Sequence, residues 1–256
     1  MSPEPPVLQR FVRRTREGVQ RPPVFEASDG YEYVLKLDEH DPDFPIAEVV
    51  AASLAPSLSV PVPSFERLGC PDPLLDALRA TGDGELGSFA ASFERLGGIC
   101  FGSRYLPPPV QKWRTSLRSL VADCDDVLLR VFLFDAFVEN LDRTSEHNPN
   151  LLVSEGALYA IDHGQALPAI KGLPSWPFPY ASHIAWPLVE RAPAAVLPHL
   201  DRLRGLPDAD IAAAVAAVPP PWWRGTPARA DHVRGSLIAR RAALADTLEK
   251  LMRQSG

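Results

Sequence analysis

Two stretches decide how this chain is interpreted: Asn140-Leu-Asp-Arg-Thr-Ser-Glu-His-Asn-Pro-Asn-Leu-Leu-Val153 and, shortly after it, Ala160-Ile-Asp-His-Gly164. The first combines an Asp-Arg pair with an Asn that opens an apolar run, and the second is an Asp-x-Gly that follows an apolar pair. Phosphoryl transfer needs a carboxylate that orients the attacking hydroxyl and oxygen ligands that hold Mg²⁺ against the phosphates. The order of these residues is therefore typical of the catalytic loop and metal-binding aspartate of a phosphotransferase.

The spacing between the two stretches predicts a β-hairpin. Asn150 and Asp162 are 12 residues apart, which is enough for two short strands and a turn. Residues 150–153 and 157–161 are predicted to form the strands, with the turn at residues 154–156 between them. Such a hairpin would place Asp162 beside the metal ion that the preceding loop is expected to bind.

Several polar side chains in these stretches have expected roles. Asp142 is the expected catalytic base or hydroxyl-orienting group, and Asn150 and Asp162 are the expected metal ligands. Asn148 is an alternative ligand, because it lies closer to Asp142 in sequence. The alternative for the whole stretch is a surface loop rich in Asn, Asp and Pro, followed by an ordinary hairpin.

A second group of residues suits the phosphates of a nucleotide. Lys36 lies inside a predicted apolar strand in a chain with only four lysines, and Glu48 lies 12 residues later in a predicted helix. A strand lysine held by a helical glutamate is the phosphate-positioning pair of kinase-like folds. The alternatives are an edge-strand lysine that keeps the sheet soluble and an exposed helical acid. The turn at Ser28, Asp29 and Gly30 is either an anion-binding nest or only a hairpin turn.

Composition argues against several function classes. The 256 residues include 46% hydrophobic residues, enough for a core, and their net charge is −6. No basic footprint indicates nucleic acid or a membrane surface, and no apolar run reaches the roughly 18 residues of a spanning helix. The three cysteines show no metal-binding spacing. The N-terminus lacks the pattern of a signal peptide, so we expect a cytoplasmic protein.

The order of predicted elements indicates an α+β fold with two lobes. Residues 1–22 are predicted as an arm or an edge strand, residues 23–107 as a strand-rich, nucleotide-binding lobe, and residues 108–256 as a helical catalytic lobe. The triple proline at residues 107–109 marks the boundary, because proline continues neither a helix nor a strand interior. A helix apolar on nearly every side, at residues 127–138, is predicted to be a core helix.

These residues together resemble the HipA-like kinases, particularly the small, single-domain members. The resemblance covers roughly residues 23–170. It rests on Asp-Gly-x-x-Tyr-Val-x-Lys at 29–36, the helix with Glu48, Cys-Phe-Gly-Ser-Arg-Tyr-Leu at 100–106, and the stretches at 140–152 and 161–164. It implies a protein-kinase-like architecture, distantly related to protein kinases and phosphatidylinositol kinases.

The resemblance also implies roles for individual residues. Lys36 would contact the α and β phosphates of ATP while Glu48 holds it. The backbone from Ser103 through Tyr105 to Leu106 would be the hinge that binds adenine. Asp142 would act on the acceptor, and Asn150 and Asp162 would bind Mg²⁺. His163 replaces the Phe of the Asp-Phe-Gly motif, and it is expected either to pack as that Phe would or to sense pH.

The sequence thus predicts an ATP- and Mg²⁺-dependent kinase that transfers the γ-phosphoryl group to a hydroxyl of a protein Ser/Thr or a small molecule. One alternative is a catalytically silent, nucleotide-binding pseudokinase that acts as a regulatory or scaffold module. The other is a kinase-fold enzyme that transfers the nucleotide. The acceptor itself leaves no signature in the sequence.

Overall fold

The chain forms two compact units in the computed structural model, which describes residues 5–15, 21–36, 41, 43–144, 149–175 and 178–254. The first unit comprises Met1–Pro45 and Pro63–Leu106, and the second comprises Ile46–Val62 and Pro107–Gly256. Helix α1 (Phe44–Leu54) therefore belongs, from Ile46 onward, with the second unit. The sequence-based division assigns this segment to the N-terminal lobe, because it follows the strands directly and no local pattern reveals where its apolar side chains are buried. That division into functional lobes remains a prediction.

The first unit is built on an antiparallel sheet. Its strands are β1 (Leu8–Arg14), β2 (Pro23–Ala27), β3 (Glu32–Lys36), β4 (Phe65–Gly69) and β5 (Ile99–Arg104), in the spatial order β1-β2-β3-β5-β4. The strand that carries Lys36 is β3, which pairs with β2 across the turn at Ser28, Asp29 and Gly30. Of the two alternatives for residues 1–22, the edge strand is the one observed, because β1 pairs with β2.

Two helices, α2 (Asp72–Ala80) and α3 (Gly84–Arg95), pack with this sheet to form the core of the first unit. The core combines residues from the sheet and from both helices: Phe25, Tyr33, Leu35, Leu68, Leu75, Phe89 and Phe93. The hexapeptide Ser-Phe-Glu-Arg-Leu-Gly occurs twice, and its copies differ in structure. The copy at residues 64–69 forms β4, whereas the copy at residues 92–97 ends α3. Tertiary packing therefore overrides local preference here.

The second unit is rich in helices. Its further elements are β6 (Val110–Lys112), α4 (Cys124–Val138), β7 (Leu151–Ser154), β8 (Ala157–Ala160), α5 (Trp186–Arg191), α6 (Leu197–Arg204), α7 (Asp208–Ala216) and α8 (Pro227–Gln254). The predicted core helix is confirmed as α4, which is buried along nearly its whole length. The predicted hairpin is confirmed as β7 and β8, joined by a turn at Glu155 and Gly156.

The fold class follows from this order of elements. An antiparallel, strand-rich N-terminal region precedes a helical C-terminal region, as expected for an α+β protein. Among the described residues, no helix combines the length and the apolar character needed to cross a membrane.

Candidate active site

The open end of the β7–β8 hairpin brings the two predicted metal-binding residues into neighbouring positions. Leu151 pairs with Ala160, and beyond this pair the Ile161 N–H donates to the Asn150 carbonyl oxygen at 2.9 Å. Asn150 therefore lies opposite Ile161, the residue that precedes Asp162. Asn150 and Asp162 are 12 residues apart in the sequence, and they come close together because the two-residue turn folds the strands back on each other.

Both of these residues have left-handed backbone conformations. The φ angle of Asn150 is 46° and that of Asp162 is 65°. Asn and Asp tolerate this region better than other residues with a Cβ, because their short polar side chains bond locally. Strained backbone of this kind is concentrated at functional sites, where the surrounding structure holds it in place.

The Asp142 side chain lies beside Asn150. The Asn150 amide nitrogen donates a weak hydrogen bond to the Asp142 carboxylate, with 3.4 Å between Nδ2 and Oδ2. This orientation leaves Oδ1 as the oxygen that Asn150 can offer to a metal. The alternative ligand Asn148 lies outside the described residues. Asp142, Asn150 and the start of the Asp-x-Gly turn thus form one cluster.

Arg143 connects the two loops of this cluster. In the sequence it is noticeable only as part of the Asp-Arg motif. The Arg143 side chain is completely buried, and its Nε lies 2.6 Å from Oδ2 of the equally buried Asp135. Its other N–H groups donate to backbone carbonyl oxygens of the two loops: those of Pro149, Asn150 and Ile161. A signal was available, because Asp135 is the one acid between Val127 and Val138, and a buried charge needs a partner.

Asp135 is ionised by its surroundings. Burial alone would raise the pKa of the Asp135 carboxyl, but the Arg143 guanidinium and the hydrogen bond from His183 outweigh it and hold this pKa well below its usual range. The His183 Nε2 lies 3.0 Å from Asp135 Oδ2, and its Nδ1 accepts the N–H of Ala185. Burial lowers the pKa of His183 against the opposing effect of Asp135, so His183 is a neutral donor through Nε2.

Glu48 and His163 connect helix α1 to the Asp-x-Gly turn. The backbone N–H of His163 donates to Glu48 Oε1 at 3.1 Å, and both side chains are buried. The His163 ring packs edge-on against Phe134, with 5.6 Å between ring centroids, so it packs as the expected Phe would. Its Nε2 lies 3.3 Å from a terminal nitrogen of Arg143 and accepts from it, because a guanidinium has only donors.

Lys36 belongs to the first unit, at the end of β3. Alternation along the strand places it on the sheet face opposite Tyr33 and Leu35, which belong to the core. Its cross-strand partner is Phe101, and the adjacent pair on the same face joins Val34 with Ser103. Lys36 and Ser103 therefore share a half-buried face of mixed apolar and polar residues. The expected pairing of Lys36 with Glu48 stays a prediction.

The turn proposed as a phosphate nest uses its backbone donors internally. The Ser28 N–H donates to the Val7 carbonyl oxygen at 2.8 Å, and the Gly30 N–H donates to that of Ala27 at 2.9 Å. The Tyr31 N–H donates to the Asp29 carboxylate at 3.1 Å. Phosphate contact by Ser28 or Gly30 would have to replace these bonds, which favours the alternative of a plain hairpin turn.

The predicted adenine hinge begins within β5, at Ser103, and continues past the end of that strand. Ser103 pairs with Val34 in the sheet, and the Tyr105 N–H donates to the Glu32 carbonyl oxygen at 2.8 Å. The Tyr105 ring lies under the Arg13 guanidinium, with 4.5 Å between the Arg13 Cζ and the ring centroid. These contacts hold Ser103 and Tyr105 beside β3, and the proline run begins at residue 107.

The residues at the hairpin mouth fit magnesium. Mg²⁺ prefers oxygen ligands, and in phosphotransferases it is held by one or two carboxylates together with phosphate and water oxygens. The amide oxygen of Asn150 and the carboxylate of Asp162 are donors of this kind. Neither a thiol nor an imidazole nitrogen is needed to complete such a set.

Comparison with known proteins identifies the family and the fold. The model of a family described as HipA-like kinase matches residues 8–248. Among solved structures, the chain is similar to the crystal structure of a Helicobacter pylori proinflammatory kinase, CtkA, with a TM-score of 0.60 and 12% identity over 96% of each chain. At this identity the likeness shows the fold alone, which is that of a kinase. No curated protein matches the sequence significantly.

Proposed function

Because this chain belongs to the HipA-like kinase family, we propose that it transfers the γ-phosphoryl group of ATP to a hydroxyl in a Mg²⁺-dependent reaction. The observation that carries this proposal is the cluster at the hairpin mouth. There the Asn150 amide contacts the Asp142 carboxylate, and the Asn150 backbone faces the neighbour of Asp162. Carboxylate base and metal ligands must meet in this way if one site is to act on both the acceptor and the phosphates.

The acceptor side of the reaction depends on Asp142. Its carboxylate orients the hydroxyl and accepts the hydroxyl proton as the new P–O bond forms and the bond to ADP breaks. Asp142 is half-buried and next to the buried Arg143, so its backbone is held firmly. The acceptor is a hydroxyl of a protein Ser/Thr or of a small molecule.

The nucleotide side depends on the residues that family membership suggests for phosphate and adenine binding. Lys36 neutralises the α and β phosphates with Glu48 as its counter-charge, and the segment from Ser103 through Tyr105 to Leu106 binds adenine. Asn150 and Asp162 hold Mg²⁺. When bound, this metal neutralises charge on the β and γ phosphates. Catalysis is then mainly positioning and charge stabilisation, without a covalent intermediate on the protein.

The first test is a thermal-shift titration with ATP, with and without Mg²⁺, on the wild type and on Asp162→Ala. A ligand that binds the folded state raises the melting temperature with concentration. We expect a Mg²⁺-dependent rise that Asp162→Ala loses and that the control Asp231→Ala, an exposed residue of α8, retains. A flat response in every condition would contradict the nucleotide site.

The second test identifies the group that is transferred. Mass spectrometry of the protein and of candidate acceptors after incubation with MgATP separates the alternatives, because a phosphoryl group adds about 80 Da and an adenylyl group about 329 Da. We expect the smaller increment. The larger one would indicate nucleotide transfer, and nucleotide binding without any transfer would indicate a pseudokinase.

A further inference from the structure

One buried side chain, Arg143, contacts both loops of the candidate site. Through one terminal nitrogen it donates to the carbonyl oxygens of Pro149, at 3.1 Å, and Asn150. Through both terminal nitrogens it reaches the Ile161 carbonyl oxygen, each at 3.4 Å. Its own peptide group follows Asp142. Arg143 therefore lies next to Asp142 and contacts the backbone at or beside Asn150 and Asp162, the three residues with proposed chemical roles.

Only arginine can make this set of contacts. A guanidinium has five N–H donors in a rigid plane and no acceptor, so it can bind several carbonyl oxygens and a carboxylate at once. A lysine ammonium offers three donors around a single atom. Because the Arg143 side chain has no exposure to solvent, each donor must find its partner within the protein.

The opposite end of this network is anchored in helix α4. Asp135 accepts from Arg143 Nε at 2.6 Å, from His183 Nε2 at 3.0 Å and from Asn140 Nδ2 at 3.1 Å. Its carboxylate is thus fixed from three directions on a buried helix. Arg143 connects this rigid point to two loops whose key residues have positive φ angles. A loop keeps an unfavourable backbone conformation only where surrounding contacts hold it in place.

We propose that Arg143 is a positioning residue, anchored by Asp135, that sets the separation between the acceptor-binding Asp142 and the metal-binding Asn150 and Asp162. This inference rests on the proposed function, because it assigns a geometric role within that site. Loss of an outer partner that orients metal ligands typically costs about 10–100-fold in metal affinity or activity. Arg143 would therefore control the Mg²⁺ requirement and the turnover number, and would leave the proposed contacts of Lys36 with ATP unchanged, because Arg143 orients only the metal and acceptor residues.

The test compares Arg143→Lys with a matched control, Arg241→Lys. Arg241 also donates to a carbonyl oxygen, that of Leu206, and pairs with Asp208 at 2.7 Å, but it lies in α8 away from the candidate site. Each protein is measured well below its own melting temperature. The readouts are kcat, the KM for ATP, and the Mg²⁺ concentration that gives half of the ATP-dependent thermal shift, which requires no turnover.

For Arg143→Lys we expect kcat to fall about 100-fold and the half-saturating Mg²⁺ concentration to rise about tenfold. The KM for ATP and the thermal shift by ATP without Mg²⁺ should stay near wild type. Arg241→Lys should lower the melting temperature without changing kcat or the Mg²⁺ requirement. If Arg143→Lys behaves as this control does, Arg143 is merely structural and the proposal is wrong.

A second variant covers the case in which Arg143→Lys does not fold. Asp135→Glu keeps the buried charge pair but moves the carboxylate by one methylene, so it should shift Arg143 and raise the Mg²⁺ requirement. An unchanged requirement would overturn the proposal.

The outcomes also separate this inference from the proposed function. If the wild type binds MgATP but transfers no phosphoryl group, the kinase proposal fails while the Mg²⁺ titration still decides the role of Arg143. If the wild type binds no nucleotide with or without Mg²⁺, both proposals are overturned.

Discussion

Glu48 accepts a hydrogen bond from the backbone N–H of His163, with 3.1 Å between Oε1 and N. The sequence predicts that Glu48 holds Lys36, and the structure adds a contact of Glu48 with His163, the residue that follows Asp162. Because the Glu48 side chain is buried, this bond is not weakened by competition with water. Helix α1 and the Asp-x-Gly turn are therefore coupled through one carboxylate.

The observed bond of Glu48 to His163 and the predicted pairing of Glu48 with Lys36 can be separated by mutation. Glu48→Ala leaves the buried His163 N–H without its acceptor and is expected to lower the free energy of unfolding by about 1–3 kcal/mol. Glu48→Gln keeps an oxygen acceptor, so it should stay close to wild-type stability while it loses the charge expected to hold Lys36. Urea unfolding and initial rates of phosphoryl transfer measure the two effects. If Glu48→Ala is as stable as the wild type, the bond to His163 does not contribute to stability. If Glu48→Gln transfers phosphoryl groups at the full rate, the charge of Glu48 is not needed.

Replacement of Asp142 should abolish transfer without abolishing nucleotide binding. Asp142→Asn keeps the size of the side chain but removes the carboxylate that accepts the hydroxyl proton, so we expect the rate to fall by about 10²–10⁴-fold. The affinity for MgATP, measured by calorimetry, should change little because Asp142 serves the acceptor. Thr144→Val is a suitable control, since Thr144 is an exposed neighbour in the same loop. A full transfer rate in Asp142→Asn would remove Asp142 from the mechanism.

The parts of this fold that depend on local pattern were predictable, and those that depend on distant packing were not. The β7–β8 hairpin follows from a short apolar run on each side of a turn, and α4 follows from its apolar surface. Helix α3 was missed because Gly84 and Gly87 lie within it and glycine interrupts a helical pattern. Its end also carries the same hexapeptide that forms β4. Contacts between segments far apart in the sequence decide which structure each copy adopts.

The candidate site shows the same division. Asp142, Asn150 and Asp162 could be proposed as site residues because their order and spacing are typical of phosphoryl-transfer chemistry. The bond between Glu48 and His163 joins residues 115 positions apart, which no sequence window spans. The role of Arg143 depends on three carbonyl oxygens, and backbone groups leave no trace in the sequence.

Replacement by glycine distinguishes the two candidates for the metal ligand, Asn150 and Asn148. Since its φ is 46°, Asn150→Gly should relieve strain and keep or raise the free energy of unfolding, by up to about 1 kcal/mol. The same change removes the amide oxygen, so the Mg²⁺-dependent part of ATP binding should be lost. Asn148→Gly is the matched control and should retain it. The reverse pattern, with Mg²⁺ dependence lost only in Asn148→Gly, would transfer the ligand role to Asn148.

Folding stability should fall in mild acid because of His183. Its pKa is lowered from 6.5 by burial, so below about pH 6.5 the unfolded chain binds a proton that the folded chain does not, and stability declines by up to about 1.4 kcal/mol per pH unit. The pKa of Asp135 is held below the ordinary 3.8, so Asp135 also lowers the folding stability in acid, but only below about that pH.

His183→Gln supplies an uncharged donor to Asp135. This variant should reduce the slope of the unfolding free energy against pH between pH 7 and pH 5.5, measured by urea unfolding. It should not abolish the slope, because burial also lowers the pKa of His199 beside Asp126. The exposed His232→Gln is the control, and equal slopes in the wild type and in His183→Gln would show that His183 does not control this part of the stability profile.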